Sequence, residues 1–246
     1  MSEDREALEE GEAVLSLEGV GFDYPKLPVI DGLDLKVAKH ELVVCVGPSG
    51  CGKSTLLSLL GGHLAPTRGT VRRKGQSRTI YQDGGLFPWL TARENIAGGL
   101  PRDTAPETRN KKIAEWLEIT RLGEFANSYP HQLSGGMRQR VELARALAAE
   151  TDILLLDEPF SALDYQSRTR MRRELVATLA ERPRTVVFVT HDIEEAVQIA
   201  DRVLVLASRP THVRRILELP PGRSRTPASP GAAEAEQAIM DELGLS

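Results

Sequence analysis

Aromatic side chains and cysteines are scarce in this chain, and each shortage excludes a class of protein. Two Trp, four Tyr and five Phe are its aromatic residues in a length of 246. So few rings argue against the stacking platforms that bind single-stranded nucleic acid. The two cysteines, Cys45 and Cys51, have no metal-ligand partner at a standard spacing, so we expect reduced thiols.

Positive charge is not in excess, and long apolar runs are missing. Lys and Arg number 31 against 35 Asp and Glu, which gives a net charge of -4. A protein that binds nucleic acid by neutralising phosphates would carry the opposite balance, so we expect no nucleic acid partner. Residues 1–12 carry six acids and one arginine, unlike a signal peptide, and no apolar run approaches the ~20 residues of a membrane span. We therefore expect a chain that is neither secreted nor membrane-spanning by itself.

Short apolar runs are followed by amphipathic stretches along much of the chain. Apolar and polar residues alternate at Val14–Leu17 and Leu33–Val37, which predicts half-buried strands. Asp164–Glu181 has the spacing of an amphipathic helix and lies between two apolar runs. Strands that alternate with helices predict the α/β class with a parallel sheet. The buried parallel strands are predicted at Leu42–Val46, Ile153–Leu156, Thr185–Val189 and Val203–Leu206.

One central stretch differs from the rest. From about Leu90 to Glu150 the pattern is helical, at Lys111–Ile119 and Met137–Ala149, with no convincing strand. It predicts a helical subdomain, about 89–149, inserted into a main domain of residues 14–219. A flexible acidic arm, 1–13, is predicted before that domain. Pro, Ser and Gly after Leu219 predict a linker and a short C-terminal helix over 220–246.

A glycine-rich motif lies between the predicted strand Leu42–Val46 and a predicted helix over Thr55–Leu60. It matches G-x-x-x-x-G-K-[ST], whose small residues let backbone N–H groups close around phosphates at a helix N-terminus. Lys53 is expected to reach the β- and γ-phosphates, and Ser54 is expected to bind Mg²⁺. The motif predicts a P-loop nucleotide hydrolase. Its residues are Gly47, Pro48, Ser49, Gly50, Cys51, Gly52, Lys53, Ser54 and Thr55.

A pair of acids follows the predicted strand Ile153–Leu156. Asp157, at the carboxyl end of the strand, is expected to join the ligand shell of Mg²⁺. Glu158 is expected to act as the general base that polarises the attacking water. With the glycine-rich loop, these acids predict a nucleoside triphosphate and Mg²⁺ as the bound groups.

The run Leu133-Ser134-Gly135-Gly136, at the start of a predicted helix, resembles the LSGGQ signature of ABC-type ATPases. The resemblance covers Val14 to about Leu219. It implies a P-loop NTPase (RecA-like) core with an N-terminal antiparallel β subdomain and an inserted α-helical subdomain. In that family the signature completes the nucleotide site of a partner subunit, which implies a homodimer with composite ATP sites. Met137 stands where glutamine is commonest, as in a branch of the family with LSGGMRQR.

Four further positions match the family, and their roles are implied by the resemblance. Gln82 resembles the Q-loop glutamine, which contacts Mg²⁺ and water. Asp164 ends a run that resembles the D-loop at the dimer seam, and His191 resembles the switch histidine that holds the γ-phosphate. Tyr24, 23 residues before Gly47, lies where the family places an aromatic that stacks on adenine. The alternative for Tyr24 is a turn residue with its hydroxyl in solvent.

The stretch from Gln82 to Thr91 bears on the subtype. It resembles a run in the ATPases that serve nitrate, sulfonate and taurine importers. Pro88 and Trp89 are then expected at the edge of the groove that receives the permease, the alternative being that Trp89 packs inside the helical subdomain. The resemblance implies an ATPase subunit at the cytoplasmic face of the membrane. It would be peripheral through transmembrane permease subunits and served indirectly by a periplasmic or extracellular solute-binding protein.

Other functions remain open at this point. The chain could serve another ABC system, in lipid trafficking, export or the import of a different solute. A soluble ABC ATPase of DNA repair or translation is a second alternative, although such proteins usually carry coiled-coil insertions or two ATPase units. A P-loop kinase is a third, against which Ser134 and His191 argue. An ATPase subunit does not contact the transported solute, so its sequence does not identify that solute.

Overall fold

The computed structural model describes residues 13–81, 85–223 and 225–245. They form two compact units, the first from the described parts of Met1–Gln76 and Arg184–Ser246, the second from Ser77–Pro183. The second unit is thus inserted in the sequence of the first. Within the described ranges, no helix combines the length and apolar composition that a membrane crossing needs.

The elements alternate along the chain as an α/β protein requires. The strands are β1 (Ala13–Tyr24), β2 (Leu27–Ala38), β3 (Leu42–Val46), β4 (Arg68–Arg73), β5 (Ser77–Ile80), β6 (Ile153–Asp157), β7 (Thr185–Thr190), β8 (Arg202–Leu206) and β9 (Val213–Glu218). The helices are α1 (Lys53–Gly61), α2 (Ala92–Ala97), α3 (Pro106–Ile119), α4 (Gly135–Ala148), α5 (Tyr165–Glu181), α6 (Ile193–Ile199) and α7 (Ala232–Leu243).

The first unit contains an antiparallel sheet of β2, β1 and β4, in that order. β1 and β2 form a hairpin whose pairing continues from Ala13 opposite Ala38 to Tyr24 opposite Leu27. Both strands are longer than the predicted segments Val14–Leu17 and Leu33–Val37, because backbone pairing between them continues to the turn. Lys26, with a positive φ of 64°, makes the chain reversal.

The first unit also contains a second set of strands, in which β3 pairs in parallel with β7 on one side and β8 on the other. β9 pairs antiparallel with β8. Every residue of β3 and β7 is buried, which explains their continuous apolar sequences. Val46 lies opposite both Thr190 and Val205, so the segments that follow β3, β7 and β8 leave the same edge of the sheet.

The second unit holds the parallel pair β5 and β6 together with α2 to α5. No strand occurs between Leu90 and Glu150, a range that is described throughout, as the sequence predicted. α2 and α3 pack on α4 around one apolar core. That core contains Ala92, Ile96, Leu100, Ile113, Leu117, Leu122, Ala126, Leu133, Val141, Ala144 and Ala148.

The predicted class, an α/β core with parallel strands, an antiparallel β subdomain and an inserted helical subdomain, is confirmed. Several elements were not predicted, namely β4, β5, β9, α2 and α6. β4 and β9 have the sequences RGTVRR and VRRILE, and all of their residues are exposed or half-buried. They are strands because their backbones pair with β1 and β8, respectively. Edge strands of this kind lack the apolar pattern from which the other strands were predicted.

The C-terminal segment is attached to the first unit by two arginines. Arg225 is buried and donates to the carbonyls of Val197, at 3.2 Å, and Ala200, at 2.8 Å, where α6 ends. Arg223 forms an ion pair with Asp201. α7 then packs on α6, β8 and β9. The basic residues of the predicted linker thus donate hydrogen bonds to the last carbonyls of α6 and pair with the carboxylate that follows it.

Candidate phosphate loop and catalytic residues

The glycine-rich loop Gly47–Gly52 follows β3 and leads directly into α1. β3 is held between β7 and β8, so the start of the loop is fixed on both sides by backbone pairing. Gly52 is the N-cap of α1, with a φ of 120°, and no side chain caps this helix. The N–H groups of the first turn therefore remain available to an anion, as phosphate binding at a helix N-terminus requires.

Lys53, the first residue of α1, points back over the loop. Its Nζ donates to the carbonyl oxygens of Gly47, at 2.8 Å, and Pro48, at 3.1 Å, and its side chain is buried. The ammonium group thus lies against the residues that are predicted to surround the phosphates. Ser54, the next residue, is exposed, and Thr55 is half-buried.

The loop is packed closely against distant parts of the first unit. A Cβ placed on Gly47 would come within 3.0 Å of Cys51 Sγ and 3.1 Å of Leu206 Cβ. A Cβ on Gly52 would come within 2.9 Å of Val29 Cγ1 and 3.1 Å of Thr211 Oγ1. Ser49 and Gly50, between them, are exposed. Glycine is therefore required at both ends of the loop by the close approach of neighbouring segments.

Both cysteines of this region are free thiols, as predicted. Cys45 lies in β3 and Cys51 in the loop, and both are buried. Burial raises the pKa of Cys45 to about 12 and also raises the pKa of Cys51, for which the nearby Lys53 charge acts in the opposite direction. Neither thiol has the low pKa of a nucleophilic cysteine.

Tyr24 ends β1, and its ring is 43% exposed. Phe22 packs against it edge to face, with ring centroids 4.9 Å apart. This contact holds the ring in place without covering it, so Tyr24 retains surface on which a flat group could stack. The proposed adenine contact of Tyr24 stays a prediction.

His191 leaves the sheet edge beside the loop. β7 ends at Thr190, which lies opposite Val46, the residue before Gly47. His191 is exposed and is followed by Asp192, which caps α6 by accepting from Glu195 N at 3.0 Å. Parallel strands are about 4.8 Å apart, so the first unit brings the backbones of His191 and the loop close together.

The second unit places the two predicted acids at the end of β6. Asp157 is its last residue and is buried, while Glu158 is half-buried with a positive φ of 45°. A non-glycine residue in this left-handed region is uncommon and is held there by its surroundings. Gln139 supplies part of that support, since its Nε2 donates to the Glu158 carbonyl at 3.0 Å.

The signature forms the exposed N-terminus of α4. Ser134 is the N-cap, and its hydroxyl accepts from Met137 N at 3.2 Å. Gly135 and Gly136 form the first turn, and a Cβ on Gly135 would meet nothing nearer than 3.9 Å, the Arg138 guanidinium. This end of α4 is therefore open to a large anionic group.

The predicted D-loop is attached to the same helix. Gln139 Oε1 accepts from Ala162 N at 2.9 Å, so one amide side chain bonds the turn after Glu158 at both of its ends. Asp164 is the N-cap of α5 and accepts from Ser167 N at 3.0 Å. Hydrogen bonds from the Ser167 side chain and from its backbone lower the pKa of the Asp164 carboxyl. The second unit thus joins Glu158, the D-loop and the signature helix through Gln139.

Gln82, the predicted Q-loop residue, lies outside the described residues. The chain is described again from Gly85, and there Trp89 is 69% exposed and Phe87 43% exposed. Their ring centroids are 5.5 Å apart. The alternative in which Trp89 packs inside the helical subdomain is wrong.

Two polar residues hold this aromatic pair, and neither was predicted to matter. Asn95 is fully buried and bonds the backbone of Phe87, Leu90 and Thr91. Arg145 donates to Gly85 O at 2.6 Å and lies over the Phe87 ring. Both side chains bond to backbone groups, and Arg145 bonds to a residue far away in the sequence. No spacing pattern in the sequence therefore predicts these roles.

Comparisons with known proteins agree with the geometry. The family model described as "ABC transporter" matches residues 30–161. A Bacillus cereus protein described as "Aliphatic sulfonates import ATP-binding protein SsuB" is 38% identical, over 87% of this chain and 90% of its own length. A Methanocaldococcus jannaschii protein described as "Uncharacterized ABC transporter ATP-binding protein MJ0412" is 37% identical, over 90% of this chain and 86% of its own.

A solved structure gives the same result for the fold. It is described as a dimeric, post-hydrolysis state of the ATP-binding cassette MJ0796 bound to ADP and Pi. Its sequence is 32% identical, the TM-score is 0.76, and the match covers 85% of this chain and all of the other.

Proposed function

Because this chain belongs to the ABC transporter family and is an ATPase of that family, we propose that it is the ATP-hydrolysing subunit of a multi-component importer. The imported solutes are small anions of the nitrate, sulfonate and taurine type in this proposal. The observation that carries the proposal is its likeness, over nearly its whole length, to the sulfonate-import protein named above. Two copies of the chain assemble with transmembrane permease subunits at the cytoplasmic face of the membrane. A solute-binding protein outside the membrane delivers the anion to the permease.

The exposed pair Phe87 and Trp89 is the part of the chain that contacts the permease in this proposal. Large exposed aromatic side chains that are held rigidly are typical anchors of protein interfaces. Asn95 and Arg145 provide that rigidity from within the same unit. A helix of the permease with a matching apolar face would cover the two rings.

ATP is held by residues of both copies. In one copy Lys53 and the loop from Gly47 to Thr55 bind the phosphates, and Tyr24 stacks on adenine. In the other, Ser134, Gly135 and Gly136 present the open N-terminus of α4 to the γ-phosphate. The absence of a side-chain cap on α1 and the open surroundings of Gly135 support this division of roles.

Hydrolysis is assigned to Glu158, Gln82 and His191. Glu158 accepts a proton from the attacking water, Gln82 orients that water, and His191 holds the γ-phosphate. The exposed hydroxyl of Ser54 and the buried carboxylate of Asp157 are oxygen ligands of the kind that Mg²⁺ prefers, and Gln82 would be a third. When bound, Mg²⁺ would neutralise charge on the phosphates. Asp164 is assigned to the seam between the copies.

Co-purification with the permease tests the importer assignment. The tagged chain, expressed together with a candidate permease of the same organism, should be retained in detergent-solubilised membranes as a complex. In proteoliposomes, the binding protein loaded with taurine, an alkanesulfonate or nitrate should stimulate ATP hydrolysis by that complex several-fold. Retention with a permease that responds to none of these anions would overturn the substrate class. Recovery without any membrane partner would overturn the importer assignment.

Trp89→Ala tests the docking surface, with Phe125→Ala as its matched control. Both residues are exposed aromatics of the second unit. Trp89→Ala should lose most of the bound permease, while Phe125→Ala should retain it. Equal retention by the two variants would exclude the aromatic pair as the anchor.

Glu158→Gln tests the chemistry and the dimer together. It should lower the rate of hydrolysis by a factor of about 10² to 10⁴, the usual contribution of a general base. Because ATP is bound but not hydrolysed, the variant should elute as a dimer in gel filtration with ATP and as a monomer without it. Hydrolysis at the wild-type rate would exclude Glu158 as the base.

A further inference from the structure

Thr211 joins three segments of the first unit behind the phosphate loop. It is fully buried, and its hydroxyl donates to the carbonyl of Cys51, within the loop. Its own N–H donates to Val29 O at 2.7 Å, and its carbonyl accepts from Asp31 N at 3.0 Å. A residue of the turn between β8 and β9 thus bonds both the loop and the β-hairpin that carries Tyr24.

The bond to Cys51 has a consequence for the next peptide group. In a trans peptide the carbonyl of one residue and the N–H of the following residue point in opposite directions. Because Thr211 holds the Cys51 carbonyl on its own side, the Gly52 N–H points to the other side of the backbone. Gly52 is the N-cap of α1, so this N–H belongs to the donors that approach an anion at the helix start.

The packing at this point leaves little freedom for another arrangement. A Cβ on Gly52 would come within 2.9 Å of Val29 Cγ1 and 3.1 Å of Thr211 Oγ1, so no side chain fits there unless these atoms move. Gly52 also has a φ of 120°, which L-residues rarely adopt. The hydrogen bond from Thr211 and the close packing of Val29 and Thr211 around Gly52 together hold the Cys51–Gly52 peptide in one orientation.

We infer that Thr211 is a positioning residue of the ATPase: its hydroxyl orients the Cys51–Gly52 peptide so that the Gly52 N–H donates to the phosphates of ATP. Thr211 touches no substrate and acts through the loop. This inference rests on the proposed role of Gly47–Thr55 as the phosphate loop. Loss of the hydroxyl leaves a buried carbonyl without this donor and releases the peptide to rotate.

The test compares Thr211→Val with Thr211→Ser. Valine keeps the shape of threonine without the donor, whereas serine keeps the donor. For Thr211→Val the Kd of ATP, measured by calorimetry on the full chain, should rise about tenfold, equal to about 1.4 kcal/mol. KM for ATP should rise by more than kcat falls. Thr211→Ser should bind ATP within about twofold of the wild type.

Thr185→Val is the matched control for a structural effect. Thr185 is also buried in the first unit, and its hydroxyl accepts from His40 N at 2.9 Å and donates to Ala38 O at 3.3 Å. Removal of this hydroxyl should lower the melting temperature without changing the Kd of ATP. If Thr211→Val also lowers only the melting temperature, or if Thr211→Ser binds ATP as weakly as Thr211→Val, the hydroxyl does not position the loop.

Two further variants complete the test. Should Thr211→Val fail to fold, Thr211→Cys retains a weak S–H donor and should give an intermediate Kd; wild-type affinity would overturn the inference. Lys53→Ala examines the loop itself and should abolish ATP binding. If Lys53→Ala binds ATP normally, the proposed phosphate loop is wrong. If Lys53→Ala loses binding while Thr211→Val retains it, only the role of Thr211 is wrong.

Discussion

Two helices of this protein, α1 and α4, have glycine at or next to the N-cap, but their N-terminal ends are built differently. α1 begins at Gly52 without a side-chain cap, and Lys53 covers the preceding carbonyls. α4 begins at Ser134, whose hydroxyl caps the helix by accepting from Met137 N. The first end leaves its donors to a ligand, whereas the second uses one of them for its own stability.

The packing around the two helix ends also differs. Gly52 is enclosed by Val29 and Thr211, which lie far from it in sequence, whereas Gly135 faces only the end of the Arg138 side chain. The end at α1 is therefore made by tertiary structure, and the end at α4 by local sequence. We expect substitutions at the first to affect both stability and ligand binding, and substitutions at the second to have small, local effects on stability.

Gly52→Ala should have the largest effect. A Cβ would approach Val29 Cγ1 to 2.9 Å, and alanine rarely adopts a φ of 120°. The strain, on the order of 3 kcal/mol, should lower the free energy of unfolding measured in urea. The Kd of ATP should rise more than tenfold, because the loop must move to relieve the contact.

Gly50→Ala is the control for the backbone alone. Gly50 also has a positive φ, 73°, but a Cβ there would meet nothing within 4 Å. It should cost about 1 kcal/mol, the penalty of the left-handed conformation. Equal unfolding free energies for the two variants would show that the contacts of Gly52 are unimportant.

Glu142 lies further along α4, where substitution can show whether the helix also depends on tertiary contacts. It is buried, with Arg145 Nη2 at 3.9 Å, in the unit where Arg145 bonds Gly85. Burial raises the pKa of Glu142 to about 7, and the Arg145 charge only partly opposes this rise. The folded protein therefore binds the Glu142 proton more tightly than the unfolded chain does.

The sign of the pH dependence follows from that difference. This contribution to stability is complete below the ordinary glutamate pKa and is lost as the pH rises through about 7. The loss should be on the order of 3 kcal/mol, because the pKa rises from 4.5 to about 7 and one pKa unit corresponds to about 1.4 kcal/mol. Glu142→Gln should remove this slope from urea unfolding measured between pH 5 and pH 8.5, whereas Glu118→Gln, on the exposed face of α3, should keep it. A wild-type slope in Glu142→Gln would assign the pH dependence to other groups.

Ser134→Ala should have a smaller effect on stability. It removes the bond to Met137 N, and loss of a serine N-cap costs about 1 kcal/mol. Asparagine accepts the same bond, so Ser134→Asn should restore the free energy of unfolding. If neither substitution changes it, the cap does not stabilise α4.

The same contrast explains which parts of the site could be predicted from the sequence. Ser134, Gly135 and Gly136 and the loop Gly47–Thr55 are contiguous motifs, and each motif carries its own helix start. Thr211 and Gln139 act through contacts with residues 160 and 19 to 23 positions away, respectively. A single sequence does not reveal such pairs, because nothing in it shows which distant residue each side chain contacts.

The fold follows the same rule. β3 and β7 are buried on both faces, and their apolar runs predicted them to within a residue. β4, β5 and β9 have short or largely polar sequences and exist because a neighbouring strand pairs with them. Strand edges of this kind depend on partners that are distant in the chain, which pattern analysis does not include.

Gly135→Ala should have the smallest effect on stability. Gly136→Ala shows whether the start of α4 depends on tertiary contacts. A Cβ on Gly135 has free space, so the helix propensity of alanine should leave the free energy of unfolding unchanged or raise it by up to ~0.5 kcal/mol. A Cβ on Gly136 would lie 3.0 Å from Ala162 O and 3.5 Å from Leu163 Cδ2, in the turn that Gln139 holds. Because that backbone oxygen cannot easily move, Gly136→Ala should be less stable than Gly135→Ala by about 1 kcal/mol. Equal urea midpoints for Gly135→Ala and Gly136→Ala would mean that the D-loop moves to make room for the added methyl group. The start of α4 would then be independent of tertiary contacts at both glycines.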